Sequence, residues 1–201
     1  MKKKMSDENL MRFAENADRT VNDVTLAQIL ICYMLYRVET PMDSELLYDV
    51  AVTGGIINYF IYQDAMDSLQ ANETIVPQKQ DDGSTVLALT EKGIACARRL
   101  KTIAAKSYRD EIVTAAKRAV QRRRNERDVK LEYEPLERGC HLHVTLTDQD
   151  LVLLRLTLFA PDLDQAHILG ERIIANPAAL YHDIVQSLMR TREEPIDLTD
   201  N

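Results

Sequence analysis

The sequence predicts an α+β protein, and three features of its apolar pattern predict it. Up to about residue 128, apolar residues recur at intervals of three and four, which places them on one side of a helix. From Val129 the interval drops to two, as in strands with one face in a core. Between residues 54 and 100, a helical pattern leads into two short extended runs around Asp81-Asp82-Gly83 and out again into a helix. Asp-Gly between extended runs marks a hairpin, because glycine supplies the positive φ that the turn needs.

Residues 1–20 are polar and mixed in charge, with a weak apolar set at Leu10, Met11, Phe13 and Ala14, and are expected to be flexible. Asn22 or Asp23 then caps a helix whose stripe is Leu26, Ile29, Leu30, Tyr33, Met34 and Tyr36. Ile31 and Cys32 widen the stripe, so this helix is expected to be buried on most sides. It ends near Val38, because Pro41 pushes Thr40 out of helical backbone. Asp43 or Ser44 starts a second helix through about Val50, and Thr53-Gly54-Gly55 breaks it. A third covers about Ile56–Asn72, with Ile57, Phe60, Ile61, Ala65, Met66 and Leu69 inward. Thr74–Gln80 and Ser84–Leu89 form the hairpin. Thr90 then caps a helix running to about Lys106, with Glu91 where the macrodipole favours an acid. Three short helices, a hairpin and a further helix are the layout of a winged helix-turn-helix, assigned to residues 21–106.

A long helix follows from Tyr108 to about Asp128, forming a connecting segment over residues 107–128. One side carries Ile112, Ala115, Ala116, Ala119 and Val120, and the other carries Lys117, Arg118, Arg122, Arg124 and Arg127, with Arg123 alongside. Val129, Leu131 and Tyr133, then Leu142, Val144 and Leu146, then Val152, Leu154, Leu156 and Leu158 alternate with mostly polar neighbours. Breaks at Glu137–Gly139 and Asp148–Asp150 make these a three-stranded antiparallel meander. Two helices, about Asp162–Ala175 and Asn176–Arg190, are expected to cover it. Asn176-Pro177 is a strong start signal, a cap followed by proline at the first helical position. Residues 129–190 thus read as a small α+β domain, and the acidic tail 191–201 as disordered.

Composition bounds the chemistry. With 45% apolar and 28% charged residues, the chain can build a core and keep a polar surface. With no Trp and 5% aromatics, a stacking platform for bare bases is not expected. No run of 18 apolar residues occurs, and Met1-Lys2-Lys3-Lys4 is followed by polar residues rather than an apolar signal core. A cytoplasmic protein is expected, with Cys32, Cys96 and Cys140 as reduced thiols. The net charge of −7 is unevenly spread: residues 107–130 hold eight basic and four acidic side chains, residues 131–201 five and thirteen. An overall negative charge therefore leaves room for a basic face.

Leu89-Thr90-Glu91-Lys92-Gly93 resembles the leucine-threonine-x-lysine-glycine that leads out of the wing in many bacterial winged-helix regulators. Together with Pro41-Met42, the Ile57-Asn58-Tyr59-Phe60 helix start and the strand-rich second half, it makes residues 20–190 similar to one narrower group. That group is a winged-helix family of Firmicutes catalogued as a domain of unknown function and often labelled a transcriptional regulator. The resemblance implies the fold and, with it, DNA binding; it carries no substrate, effector or operator.

In such a fold the exposed side of the third helix enters the major groove, where Asn and Gln pair with adenine and Tyr reaches phosphate. Here that side offers Asn58, Tyr59, Tyr62, Gln63 and Asp67, with Gln70 as an addition; the helix has no Lys or Arg, and Asp64 and Asp67 oppose phosphates. Lys79 in the wing and Arg118, Arg122, Arg123 and Arg124 on the connecting helix are the candidate phosphate ligands. His141 and His143 share a strand face while Cys140 points away, and two ligands make no closed metal centre, so a polar outer sheet face is expected. No phosphate-cradling glycine loop, nucleophile elbow or paired metal motif occurs, so neither a cofactor nor catalysis is expected. The expectation is a homodimeric regulator of transcription that binds double-stranded DNA and no membrane. Its alternative is a non-enzymatic adaptor whose winged helix and C-terminal domain bind proteins.

Overall fold

The computed structural model describes residues 20–190. The expected flexible start, residues 1–20, lies outside the described residues except for Thr20, and the expected acidic tail, residues 191–201, lies wholly outside them. The chain is a mixed α+β protein with a two-stranded and a three-stranded antiparallel sheet. It divides into two compact units after Val120, and among the described residues no helix is long and apolar enough to cross a membrane.

The first unit is built on α1 (Val24–Val38), capped by Asp23, whose carboxylate accepts the Leu26 N–H at 2.7 Å. Ala27, Ile29, Leu30, Ile31, Cys32, Tyr33, Met34 and Val38 are all buried, so the helix is the centre of its core, as its wide stripe predicted. α2 (Ser44–Tyr48) starts on the Asp43 cap and passes into a π-helical turn over Asp49–Thr53. α3 (Tyr59–Ala71) begins later than expected. Asn58 takes the cap position, and Ile56 and Ile57 are buried ahead of the helix, where Ile57 bridges Val21. Its inward row is Tyr62, Ala65, Met66 and Leu69, spacings of three, one and three. Phe60, expected inside, is 72% exposed.

β1 (Ile75–Lys79) and β2 (Thr85–Leu89) pair from Ile75 opposite Leu89 to Lys79 opposite Thr85. Gly83 turns between them at φ 83°. α4 (Glu91–Arg99) is capped by Thr90 as expected, but it ends well before Lys106, and Ala104 is buried in the connection. α5 (Lys106–Asp128) places Ile112 and Ala116 in the same core.

The Leu89–Gly93 motif has a physical role at this junction. Thr90 Oγ1 donates to the carbonyl oxygens of Glu73 and Thr74, at 2.9 and 3.2 Å, and accepts the Gly93 N–H at 3.4 Å. Lys92 Nζ donates to the Asn72 carbonyl at 3.0 Å, at the end of α3. A Cβ at position 93 would collide with the Thr74 carbonyl oxygen and the Leu89 side chain, so only glycine lets α4 start this close to β1.

In the second unit, β3 (Val129–Pro135), β4 (Cys140–Asp148) and β5 (Leu151–Ala160) form one sheet in that order. Val129, Leu142, Val144 and Leu146 form its core with α6 (Leu163–Ala175), which contributes Ile173. Val152, expected inside, is exposed. A register shift between Leu146 and Thr147 sets Leu146 opposite Leu154 but Thr147 opposite Val152, and a slip of one residue moves a side chain to the other face. α7 (Pro177–Met189) starts on the Asn176 cap but contains no buried residue; of its apolar stripe, Leu180 reaches the core. Asn125 is buried on α5, and its amide donates to the Ile174 and Ala175 carbonyls at 2.7 and 3.4 Å, satisfying the end of α6.

Candidate nucleic-acid interface

α3 is held by α1 through its Ala65–Met66–Leu69 side, which leaves Tyr59, Gln63, Asp64, Asp67 and Gln70 exposed. Of the candidate groove-reading residues, Gln63 stands free of the core as expected. Tyr59 is exposed and packs edge-on against Tyr48 and Phe60, at centroid distances of 6.3 and 5.2 Å. Asn58 is half-buried, and its side-chain oxygen accepts the Phe60 N–H at 3.0 Å. That oxygen is engaged in starting the helix and is not held out toward a base.

Tyr62 is a correction. It is 4% exposed and packs edge-on against Tyr48 at 5.6 Å, so its ring belongs to the core. Burial, with the neighbouring Tyr48 phenol, pushes its hydroxyl up to about 12. Tyr62 stands three, four and seven positions before Ala65, Met66 and Leu69, so the helical period itself puts it on the buried side, and Phe60, about 200° away, faces out. Phe60 is left as an exposed aromatic at the head of α3.

The positive charges separate into two sets. Lys79 is exposed at the end of β1, and Arg118 is exposed on the part of α5 that belongs to the first unit. Arg122, Arg123 and Arg124 belong to the second unit. Arg124 is exposed and Arg123 half-buried. Arg122, expected as a phosphate ligand, is already paired: Nε lies 2.8 Å from Glu126 and Nη2 lies 2.7 Å from Glu171. The hydrogen bonds it donates to Glu171 first, then to Glu126, raise its affinity for its proton. Sequence spacing shows Glu126 one turn along the helix, but Glu171 comes from α6 and is visible only in the fold. Arg98 and Arg99, exposed at the end of α4, add positive charge to the first unit that the sequence reading passed over.

The outer face of the second sheet brings His141 and His143 together, as the strand period implied. It also adds Glu134, whose carboxylate lies 3.4 Å from His141 and 3.1 Å from His143. The His143 hydrogen bond, followed by that of His141, lowers the pKa of the Glu134 carboxyl. The missed signal was the register: a hairpin closing over Leu136–Gly139 sets Glu134 opposite His141.

The family model described as Domain of unknown function (DUF4364) matches residues 27–188. No curated protein and no solved structure matches the chain.

Proposed function

The chain belongs to the family described as Domain of unknown function (DUF4364), and for this member we propose a cytoplasmic DNA-binding regulator of transcription that acts as a homodimer through a winged helix-turn-helix. The observation that carries this reading is a bridge in the first unit. The Leu87 N–H donates to the Met42 carbonyl at 2.8 Å, which ties the hairpin to the connection between α1 and α2. Helix, strand-like link, helix, helix and tied hairpin is the order of a winged helix, with α3 as its third helix and β1–β2 as its wing. Gln63 and Tyr59 then face the groove, while Lys79 and Arg118 supply phosphate contacts, with Arg124 as a further ligand. No catalysis is assigned to the protein.

A homodimer is supported by the second unit. β5 is a ten-residue edge strand whose only charged residue is Arg155, and α7 leaves Leu188 81% and Met189 79% exposed. A long apolar edge strand tends to pair, and a second copy satisfies it symmetrically.

The test is selection of bound duplexes from a randomised pool at two salt concentrations. Enrichment of an inverted repeat, weakening steeply with salt, supports the regulator. Absence of enrichment at low salt overturns it in favour of the adaptor. One observation favours that second reading: Phe60 and Tyr59 form an exposed aromatic pair where a groove reader would carry polar side chains.

A further inference from the structure

The cluster on the outer face of the second unit's sheet plays no part in the DNA-binding reading and stands independently of it. β3 and β4 pair with Glu134 opposite His141, and β4 and β5 pair with His143 opposite Thr157. Residues two apart share a face, so Glu134 has His141 directly across and His143 on the diagonal. Both imidazoles aim a ring nitrogen at the same carboxylate oxygen: His141 Nδ1 at 3.4 Å and His143 Nε2 at 3.1 Å from Oε2. One atom from each residue can be chosen so that all three lie within 4.8 Å of one another. Donors arranged tetrahedrally around zinc at about 2.0–2.1 Å stand about 3.3 Å apart, close to both spacings.

We propose that Glu134, His141 and His143 bind a divalent transition-metal ion of the zinc class, with water in the fourth position.

Three further features fit this site. The far nitrogen of His143, Nδ1, lies 2.9 Å from Thr157 Oγ1, and a proton held there leaves Nε2 with its lone pair toward the metal. Phe159 stands edge-on to His141 at 6.4 Å and walls that side of the ring. All three donors sit on paired strands rather than loops, so little ordering is needed on binding. Two nitrogens and one carboxylate suit zinc, nickel or copper, whereas magnesium and calcium require oxygen-rich shells. Cys140 is buried on the opposite face of β4 and supplies no fourth ligand. All four histidines and all three cysteines of the chain lie among the described residues, so the competing soft donors can be named.

The experiment titrates the untagged full chain with Zn²⁺ against a chromophoric chelator, for the natural sequence, the H141N/H143N double variant and E134Q. The expected result is one zinc per chain, at least tenfold weaker uptake in the double variant, a smaller loss in E134Q, and no competition from excess Mg²⁺. Zinc should also raise the melting temperature of the natural chain and leave that of the double variant unchanged. A far-ultraviolet spectrum and metal-free melting temperature matching the natural chain confirm that the variants are folded. Either of two results overturns the site: no uptake by the natural chain, or uptake that survives in the double variant, which would move the metal to Cys32, Cys96 or the remaining histidines.

Discussion

Thr90 and Gly93 hold a junction through the chain's own backbone, and their replacement should be felt as stability. Thr90→Ala removes a helix cap and the one hydroxyl proton shared between two carbonyl oxygens, and is expected to cost about 1–2 kcal/mol. Gly93→Ala drives a methyl group into the Thr74 carbonyl and is expected to cost at least as much; urea unfolding curves measure both. Tyr62 gives a pH prediction. Its hydroxyl ionises near 10.0 when unfolded and near 12 in the folded core, so between these values the unfolded chain binds fewer protons. The stability conferred by the buried neutral phenol is complete below the lower value and is lost as pH rises toward the higher. The loss is on the order of 2 kcal/mol, and Tyr62→Phe should remove that part of the alkaline dependence. Residues whose role is local were legible in advance: Thr90, Asp162 and Asn176 each cap the helix they were expected to start. Tyr62 was legible by the same local rule, since it stands three, four and seven positions before Ala65, Met66 and Leu69, but the expected stripe runs through Phe60 instead.

At the scale of elements, α7 and the end of α6 behave oppositely. α6 ends on carbonyls that the buried Asn125 amide satisfies, so Asn125→Ala should destabilise the protein by about 1–3 kcal/mol, seen as a lower urea midpoint. α7 presents Leu188 and Met189 to solvent within the single chain, so replacing both with Glu should leave the urea midpoint nearly unchanged when it is measured at concentrations where the chain is monomeric. If α7 takes part in the proposed homodimer, sedimentation velocity should shift to the monomer in that variant. Unchanged sedimentation as a dimer would remove α7 from the interface. Strand period predicted the three-stranded sheet because a half-buried sheet writes its two faces into the sequence. The register shift that turns Val152 outward was not readable, since it belongs to the pairing of two strands and leaves no mark in either alone.

At the scale of the whole molecule, charge is the deciding quantity. The chain is acidic overall, so any grip on DNA must come from a few exposed cations, and their contributions should differ by partner. Arg118→Ala and Arg124→Ala should each lower the salt slope of DNA binding by about one, whereas Arg122→Ala should change it less, because Glu126 and Glu171 already hold that guanidinium. Binding titrations over a salt series give the ranking directly. The division into a helix-rich first part and a strand-rich second part followed from apolar spacing alone. The pairing of Arg122 with α6 and the convergence of Glu134 on two histidines did not, because both require distant segments to be brought side by side. The threonine, lysine and glycine of the Leu89–Gly93 motif are all occupied with their own chain, where a helix and a hairpin meet a second helix. A genome search that uses this pentapeptide to collect regulators is therefore selecting a structural joint, and it will recover proteins that share the joint whatever their surfaces have been adapted to hold.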